Sequence, residues 1–236
     1  MCIRYLNLPP PISPENLPHF WEQNDILILL IDLDSYNALN TEYLDDTEKE
    51  YLARFKTSYF KKRYSVSRIV LKYVLSCLLK EQSIYYIHIY KDEYGKVHVL
   101  SHKELHICIS YTGNIVSLAI SKVEIGIDIE LRKSLSPGKV STYLHKPVLK
   151  IEDFGNGPDL NDLDLLMIWS LKEAYCKFSN KSMSSSLNKE LDLRSVFYSS
   201  YILDDKYILS IITSVNPHAL NISYLPKIVF SESSEN

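Results

Sequence analysis

Residues 106–130 read HICISYTGNIVSLAISKVEIGIDIE, and this stretch predicts three consecutive β-strands. Two apolar runs, HICIS and IVSLAI, flank the segment YTGN at 111–114, whose composition is typical of a hairpin turn. A third strand over residues 124–130 follows after Ser121 and Lys122. The stretch therefore predicts a sheet of at least three strands.

Working outward from this sheet, strands and helices alternate along the chain. The apolar run ILILLIDL predicts a buried strand within residues 25–34, and residues 84–90 and 97–100 predict two shorter ones. A second hairpin is expected over residues 195–214, around Asp204 and Asp205. Residues 1–18 predict an extended, proline-rich arm, and residues 132–162 predict a loop.

Two helices have clear apolar periodicity. Apolar residues at 66, 69, 70, 73, 74 and 77 recur in steps of three and four, and residues 163–178 predict a second helix capped by Asn161 or Asp162. The fold class is therefore α/β (α+β). Each half of the chain carries a strand, a helix and a hairpin, and IDLD at 31–34 resembles IDIE at 127–130. We place the boundary between the halves near residue 122, giving segments 1–122 and 123–236.

The composition excludes several classes of protein. The 236 residues carry a net charge of −3, which implies no general attraction to nucleic acid or membranes. The longest apolar run is far shorter than the roughly 20 residues that span a bilayer. The N-terminus does not resemble a signal peptide, and the four cysteines lack CxxC spacing, so we expect a cytoplasmic monomer with free thiols.

Two carboxylates lie together on the third strand. Asp128 and Glu130 are two residues apart, so their side chains point to one face, and Gly126 shares that face. A Mg²⁺ ion on phosphate oxygens would relieve the repulsion between the two carboxylates. The alternative is a strand end with two solvated acids. Gly126 leaves room for a ligand or for a close backbone segment.

The segment WSLKEAYCK at 169–177 adds a third carboxylate. Trp169, Glu173 and Lys177 recur at intervals of four and lie on one face of the predicted helix, with Lys172 beside Glu173. The alternative is an ordinary Glu–Lys surface pair, worth about 0.2–0.5 kcal/mol. A tryptophan on the same stripe indicates that this face is covered, and a covered carboxylate needs a metal or a lysine as partner.

Together, GIDIE and WSLKEAYCK resemble the paired signature of the 4′-phosphopantetheinyl transferases, of the surfactin-synthetase-activating type. The resemblance implies two similar α/β halves related by pseudo-twofold symmetry, with the active site in the cleft between them. It implies transfer of the phosphopantetheine arm of coenzyme A to a serine of an acyl or peptidyl carrier protein, with release of adenosine 3′,5′-bisphosphate. Asp128, Glu130 and Glu173 would hold Mg²⁺ or Mn²⁺. Glu173 would take the serine proton, and Lys177, assisted by Lys172, would neutralise phosphate charge.

The resemblance also implies contacts to coenzyme A from the first half. Arg63 occupies the place of a basic residue at the 3′-phosphate end, and Lys56, Lys61 and Lys62 are neighbouring candidates. A turn containing Gly95 and Lys96 is similar to the family's G-K-P turn, with Val97 in place of proline. Another turn, comprising Ser110, Tyr111 and Thr112, is similar to one in which the central residue is a phosphate-binding histidine. Residues 141–154 would face the carrier protein. Without the resemblance, Lys61, Arg68 and Lys72 would be interpreted as a solvated helix stripe.

Two other functions fit parts of the sequence. One is a non-catalytic homologue that binds coenzyme A or a carrier, which the departures at Tyr111 and Val97 favour. The other is a Mg²⁺-dependent phosphohydrolase that uses the same carboxylates. Neither accounts for Trp169, Lys172, Glu173 and Lys177 together.

Overall fold

A computed structural model describes residues 3–37, 41–132, 162–182 and 193–230. Its helices are α1 (Leu17–Gln23), α2 (Asp46–Ala53), α3 (Ser58–Leu79) and α4 (Asp162–Phe178). Its strands are β1 (Ile3–Leu6), β2 (Ile26–Asp32), β3 (Ile89–Lys91), β4 (Val97–Val99), β5 (His106–Thr112), β6 (Ile115–Ser121), β7 (Ile125–Leu131), β8 (Phe197–Leu203), β9 (Tyr207–Thr213) and β10 (Leu220–Tyr224).

The strands form two sheets. The larger sheet has the order β10-β2-β6-β5-β4-β3, and the smaller has the order β1-β8-β9-β7. The first and last strands of the described residues pair with the opposite part of the chain: β1 is parallel to β8, and β10 is parallel to β2. The mixed α/β fold predicted from the sequence is confirmed. The boundary near residue 122 and the pseudo-twofold symmetry stay predictions.

The sheets pack against each other, and each has a long helix on its outer face. Alternate residues of β2 explain this arrangement: Leu27, Leu29 and Ile31 pack with the apolar stripe of α3, while Ile26, Ile28 and Leu30 pack with β7 and β9. On the other side of the smaller sheet, apolar residues of α4 pack against β9. Because β2 is covered on both faces, its sequence is a continuous apolar run.

The predicted hairpin of β5 and β6 is confirmed, with Thr112 opposite Ile115 across the turn. The hairpin of β8 and β9 is confirmed as well, and helix α4 begins at Asp162, within one residue of the predicted start. The loop predicted for residues 132–162 lies mostly outside the described residues, as does Asn161. None of the described helices combines the length and apolar character that crossing a membrane requires.

The structure departs from the sequence predictions in three segments. Residues 84–90 do not form one strand: Ile84–Tyr86 is a 3₁₀ turn, begun by a hydrogen bond from the Tyr85 N–H to the Ser83 hydroxyl, and the strand is only Ile89–Lys91. Within the arm predicted for residues 1–18, Ile3–Leu6 is extended and pairs with β8, whereas Pro14–Asn16 forms a 3₁₀ turn and α1 begins at Leu17. Strand Leu220–Tyr224 was not predicted at all.

The predicted solvated stripe on α3 was also wrong. Arg68 and Lys72 are both buried, and only Lys61 is exposed. Helix α2 covers this side of α3, where the Lys72 ammonium pairs with Glu48 and donates to the Tyr43 carbonyl. A buried lysine requires such partners, because burying an unpaired charge in a protein costs on the order of several kcal/mol.

Candidate functional site

Helix α4 lies directly on strand β7, and Gly126 makes this contact possible. A Cβ atom at Gly126 would lie 2.1 Å from the Ala174 carbonyl oxygen and 2.5 Å from the Phe178 amide nitrogen. The space that Gly126 leaves is therefore filled by helix backbone, one of the two alternatives that the sequence left open. This close approach brings the carboxylates of β7 against the polar face of α4.

Asp128 is the centre of a buried hydrogen-bond network. Its Oδ1 accepts from the Ser110 hydroxyl and from the Lys177 ammonium, each over 2.8 Å. The Lys177 ammonium also donates to the Ser110 oxygen over 2.8 Å, and the Ile129 amide donates to the same oxygen over 3.2 Å. A hydroxyl can donate once and accept twice, so Ser110 is fully satisfied.

Glu130 is tied to α4 by the tryptophan of the second motif. The Trp169 indole N–H donates to Oε1 of Glu130 over 3.2 Å, so Trp169 orients a carboxylate in addition to packing. Loss of hydration raises the pKa of Glu130 to about 8, with further increases from the charges of Asp128 and Glu173. The Trp169 hydrogen bond opposes this rise because it favours the ionised carboxylate.

Glu173 completes the acidic group. Loss of hydration and the charge of Asp128 raise the pKa of Glu173 to about 7, although Lys177 lowers it. The Lys177 ammonium lies 3.9 Å from Oε2 of Glu173. Burial disfavours the charged form of Lys177, but Asp128 and Glu173 outweigh it and raise the pKa of the amine. Lys177 is therefore a firmly protonated cation between carboxylates.

The donor set suits a hard divalent cation. Oδ2 of Asp128 is buried without a hydrogen-bond partner in the described part of the chain. The charges of Asp128 and Glu173 add to loss of hydration in raising the pKa of Glu130, a repulsion that a bound cation would relieve. As arranged, however, no three His, Cys, Asp or Glu side chains among the described residues form a group able to hold a metal ion. The three carboxylates match Mg²⁺ in chemistry, while Lys177 holds one oxygen of Asp128.

A cavity of about 260 Å³ opens beside this network. It is lined by residues from both parts of the chain: Tyr64, Arg68, Lys91, Tyr94, Gly95, Lys96, Val97, Ile107, Cys108, Ile109, Tyr111, Glu173, Cys176, Lys177, Asn180 and Lys181. Five predicted positions meet here: Gly95, Lys96 and Tyr111 from the first half, and Glu173 and Lys177 from α4. Five basic side chains in the lining of this cavity favour an anionic ligand.

Asp92 fixes the turn that carries Gly95 and Lys96. Its Oδ1 accepts the amide protons of Tyr94 and Lys96, over 3.0 and 2.9 Å. Its Oδ2 accepts from Asn180, just after α4, and lies 3.0 Å from His98 Nε2. These hydrogen bonds outweigh the desolvation of Asp92 and lower its pKa to about 2. Sequence reasoning missed Asp92, although an aspartate two residues before the turn amide is a known turn signal.

Arg63 and Tyr111 contact each other. The Arg63 guanidinium carbon lies 3.7 Å from the centre of the Tyr111 ring, and the Tyr111 hydroxyl lies 3.0 Å from the Ser67 hydroxyl. Arg63 is not among the described residues that line the cavity, whereas Tyr111 is. Lys61 and Lys62 line a second cavity with Tyr59, and Lys56 is exposed.

The remaining predicted residues lie at structural positions. Ser110 and Thr112 are buried at the junction of the sheets, where the Thr112 hydroxyl accepts the Leu131 amide proton over 2.9 Å. Lys172 is fully buried, and loss of hydration lowers its pKa. None of these three is among the described residues lining the cavity. The carrier-facing segment 141–154 lies outside the described residues.

A 4′-phosphopantetheinyl transferase from Bacillus subtilis is 30% identical to this chain over 99 residues. The aligned stretch covers 41% of this chain and 43% of that protein, so the match extends over less than half the length of either. No protein-family model matches the chain. The match supports the family resemblance carried by the two motifs, and the surfactin-synthetase-activating subtype stays a prediction.

Proposed function

We propose that the protein transfers the 4′-phosphopantetheine arm of coenzyme A to a serine of an acyl or peptidyl carrier protein. One observation carries the proposal: the Gly95–Lys96 turn and the Glu173–Lys177 pair line the same basic cavity, beside the carboxylates of β7. The turn and the α4 pair lie far apart in sequence. An enzyme whose active site lies in a cleft between two halves needs residues from both halves at one place. The partial likeness to a protein of that name adds support.

In the proposed reaction, the carrier serine oxygen bonds to the phosphorus that bears pantetheine. The bond from this phosphorus to the bridging oxygen of the pyrophosphate breaks, and adenosine 3′,5′-bisphosphate leaves with that oxygen and its electron pair. Reactions of this kind depend on positioning and on neutralising phosphate charge. Glu173, whose pKa is raised to about 7, is suited to accept the serine proton, directly or through water.

Lys177 has a donor available for the substrate. Its ammonium has three N–H groups, of which two are used on Asp128 and Ser110. The third can donate to a phosphate oxygen and stabilise charge that develops there. Asp128, Glu130 and Glu173 would hold Mg²⁺ or Mn²⁺ by drawing closer together than they lie in the present arrangement, and the ion would supply Lewis-acid stabilisation of the pyrophosphate. Lys172 is fully buried and does not line the cavity, so we assign it a structural role in α4.

The test combines purified protein, coenzyme A, Mg²⁺ and a panel of apo-carrier proteins, with intact-mass measurement of each carrier. We expect a phosphopantetheine mass gain on one or more carriers, abolished by the carrier's Ser→Ala change. Glu173→Ala should remove transfer, while Glu81→Ala, at an exposed position beyond α3, should retain it. Binding of coenzyme A without transfer to any carrier would favour the non-catalytic homologue. Phosphate release without a carrier would favour the phosphohydrolase.

A further inference from the structure

Two cations that no motif assigns lie together in the cavity wall. Arg68 is only 3% exposed, yet it lines the cavity. Its Nη1 is buried and has no hydrogen-bond partner among the described residues. Lys91 lines the same cavity from strand β3. A buried guanidinium nitrogen without an acceptor is costly, because it has lost its hydration and gains no hydrogen bond in return.

The two cations share one aromatic neighbour. The Arg68 guanidinium carbon lies 5.5 Å from the centre of the Tyr64 ring, and the Lys91 ammonium lies 6.0 Å from the same ring. The Lys91 ammonium also lies 4.8 Å from the Tyr51 ring centre. Lys91 is exposed as a residue, but its amine rests on these rings. Loss of hydration, together with the charge of Arg68, lowers the pKa of Lys91 to about 8.

No ion pair links Arg68 or Lys91 to an acid among the described residues, and the nearest acids are turned toward Lys72. Glu48 contributes to the electrostatic environment of Tyr64, but its Oε2 is bound by Lys72 and by the Asp45 amide. Asp45 also faces Lys72, and its Oδ1 caps helix α2. The two cations repel each other, Arg68 has an N–H donor without an acceptor, and both residues adjoin the cavity. This arrangement suits an anion with several acceptor oxygens.

We propose that Arg68 and Lys91 form the subsite that binds the phosphate monoester of the nucleotide substrate. The identity of this ligand rests on the proposed function, in which coenzyme A carries a single 3′-phosphate besides its pyrophosphate. Arg63, to which the resemblance assigns that end of the ligand, contacts the Tyr111 ring instead. In this chain the positive charges that bind the phosphate are therefore those of Arg68, in the middle of α3, and Lys91, on β3.

The test compares the affinities of coenzyme A and 3′-dephospho-coenzyme A by titration calorimetry. The wild-type protein should bind coenzyme A about tenfold or more tightly, as expected for charge-assisted hydrogen bonds. Lys91→Met and Arg68→Met should each remove most of this preference while leaving the affinity for the dephospho form nearly unchanged. Lys103→Met, at an exposed position, should leave both affinities unaltered. Because Arg68 is buried, Arg68→Lys provides a variant that retains the charge, and circular dichroism verifies its folding.

The outcomes separate this inference from the proposed function. If Arg63→Met removes the preference and the Arg68 and Lys91 variants keep it, the assignment is overturned. If the preference depends on Arg68 and Lys91 but no carrier is modified, only the transferase function fails. If neither nucleotide binds, inorganic phosphate becomes the probe. It should then raise the melting temperature of the wild-type protein but not of the Arg68→Met, Lys91→Met double variant, and equal shifts would overturn the anion site itself.

Discussion

The hydroxyl of Ser110 donates to Oδ1 of Asp128 over 2.8 Å and thereby joins an inner strand of the larger sheet to the edge strand of the smaller one. This bond is one of a series. Alternate β5 side chains, Cys108, Ser110 and Thr112, accept the β7 amide protons of residues 127, 129 and 131. The edge of the smaller sheet is thus satisfied by side chains, and the acidic site is built into this junction.

Ser110→Ala should destabilise the fold and reduce transfer. The change removes the donor to Asp128 and leaves the Ile129 amide and one Lys177 N–H without their acceptor. We expect a loss of about 1–3 kcal/mol in the free energy of unfolding, measured by urea denaturation. Ser117→Ala is the matched control, because the Ser117 hydroxyl is buried without a hydrogen-bond partner among the described residues. Equal losses in the two variants would contradict the role of Ser110.

Gly126→Ala should displace helix α4. The new methyl group would meet backbone atoms of Ala174 and Phe178, which cannot move independently of the helix. We expect a loss of stability at or above the upper end of the ~1–3 kcal/mol typical of overpacking, together with loss of transfer. Gly113→Asn is the control, since Gly113 has a φ of +50° with open space around it, and asparagine tolerates that conformation. Wild-type activity in Gly126→Ala would contradict the close contact.

The metal-free protein should lose stability as the pH rises. The pKa of Glu130 is about 8 in the folded protein, against an ordinary value of 4.5. The folded state therefore holds its proton more tightly than the unfolded state, and the cost of folding grows between about pH 4.5 and 8. Thermal unfolding in a chelator should show a melting temperature that falls over this range. Glu130→Gln should flatten the curve, and an unchanged slope in that variant would assign the effect to other groups.

Asp92→Ala should weaken binding of coenzyme A more than it slows transfer. The variant frees the amides of Tyr94 and Lys96 and removes the link to Asn180, so the Lys96 turn loses its fixed position beside α4. Steady-state kinetics should show a several-fold higher KM for coenzyme A with a smaller change in kcat. Glu93→Ala, at the exposed neighbouring position, should resemble the wild type. A reduced kcat at unchanged KM would place Asp92 in the chemical step instead.

Sequence periodicity predicted the strands and helices whose formation depends on their own residues and not on distant partners. The β5–β6 hairpin, β7 and α4 follow from alternation, turn composition and apolar steps within short windows. The two motifs predicted that α4 brings a third carboxylate, Glu173, to those of β7. They did not predict the hydrogen bond from Trp169 to Glu130, which depends on how closely α4 packs on Gly126. Lys72 could not be predicted as buried, because helix α2, which supplies its partner Glu48, is separate in sequence. Strand β10 lacks a pattern of its own and exists through pairing with β2.

The exchange of β1 and β10 has a consequence for how the protein is made. Ile3 pairs with Ser200, and Leu220 pairs with Ile26, so each sheet needs a strand from the opposite end of the chain. During synthesis, the larger sheet cannot be completed until residues 220–224 have left the ribosome. Fragments cut near residue 122 would each expose an unpaired strand edge, which favours aggregation. Folding is therefore expected to be slow and largely post-translational, and the two halves are unsuited to separate expression.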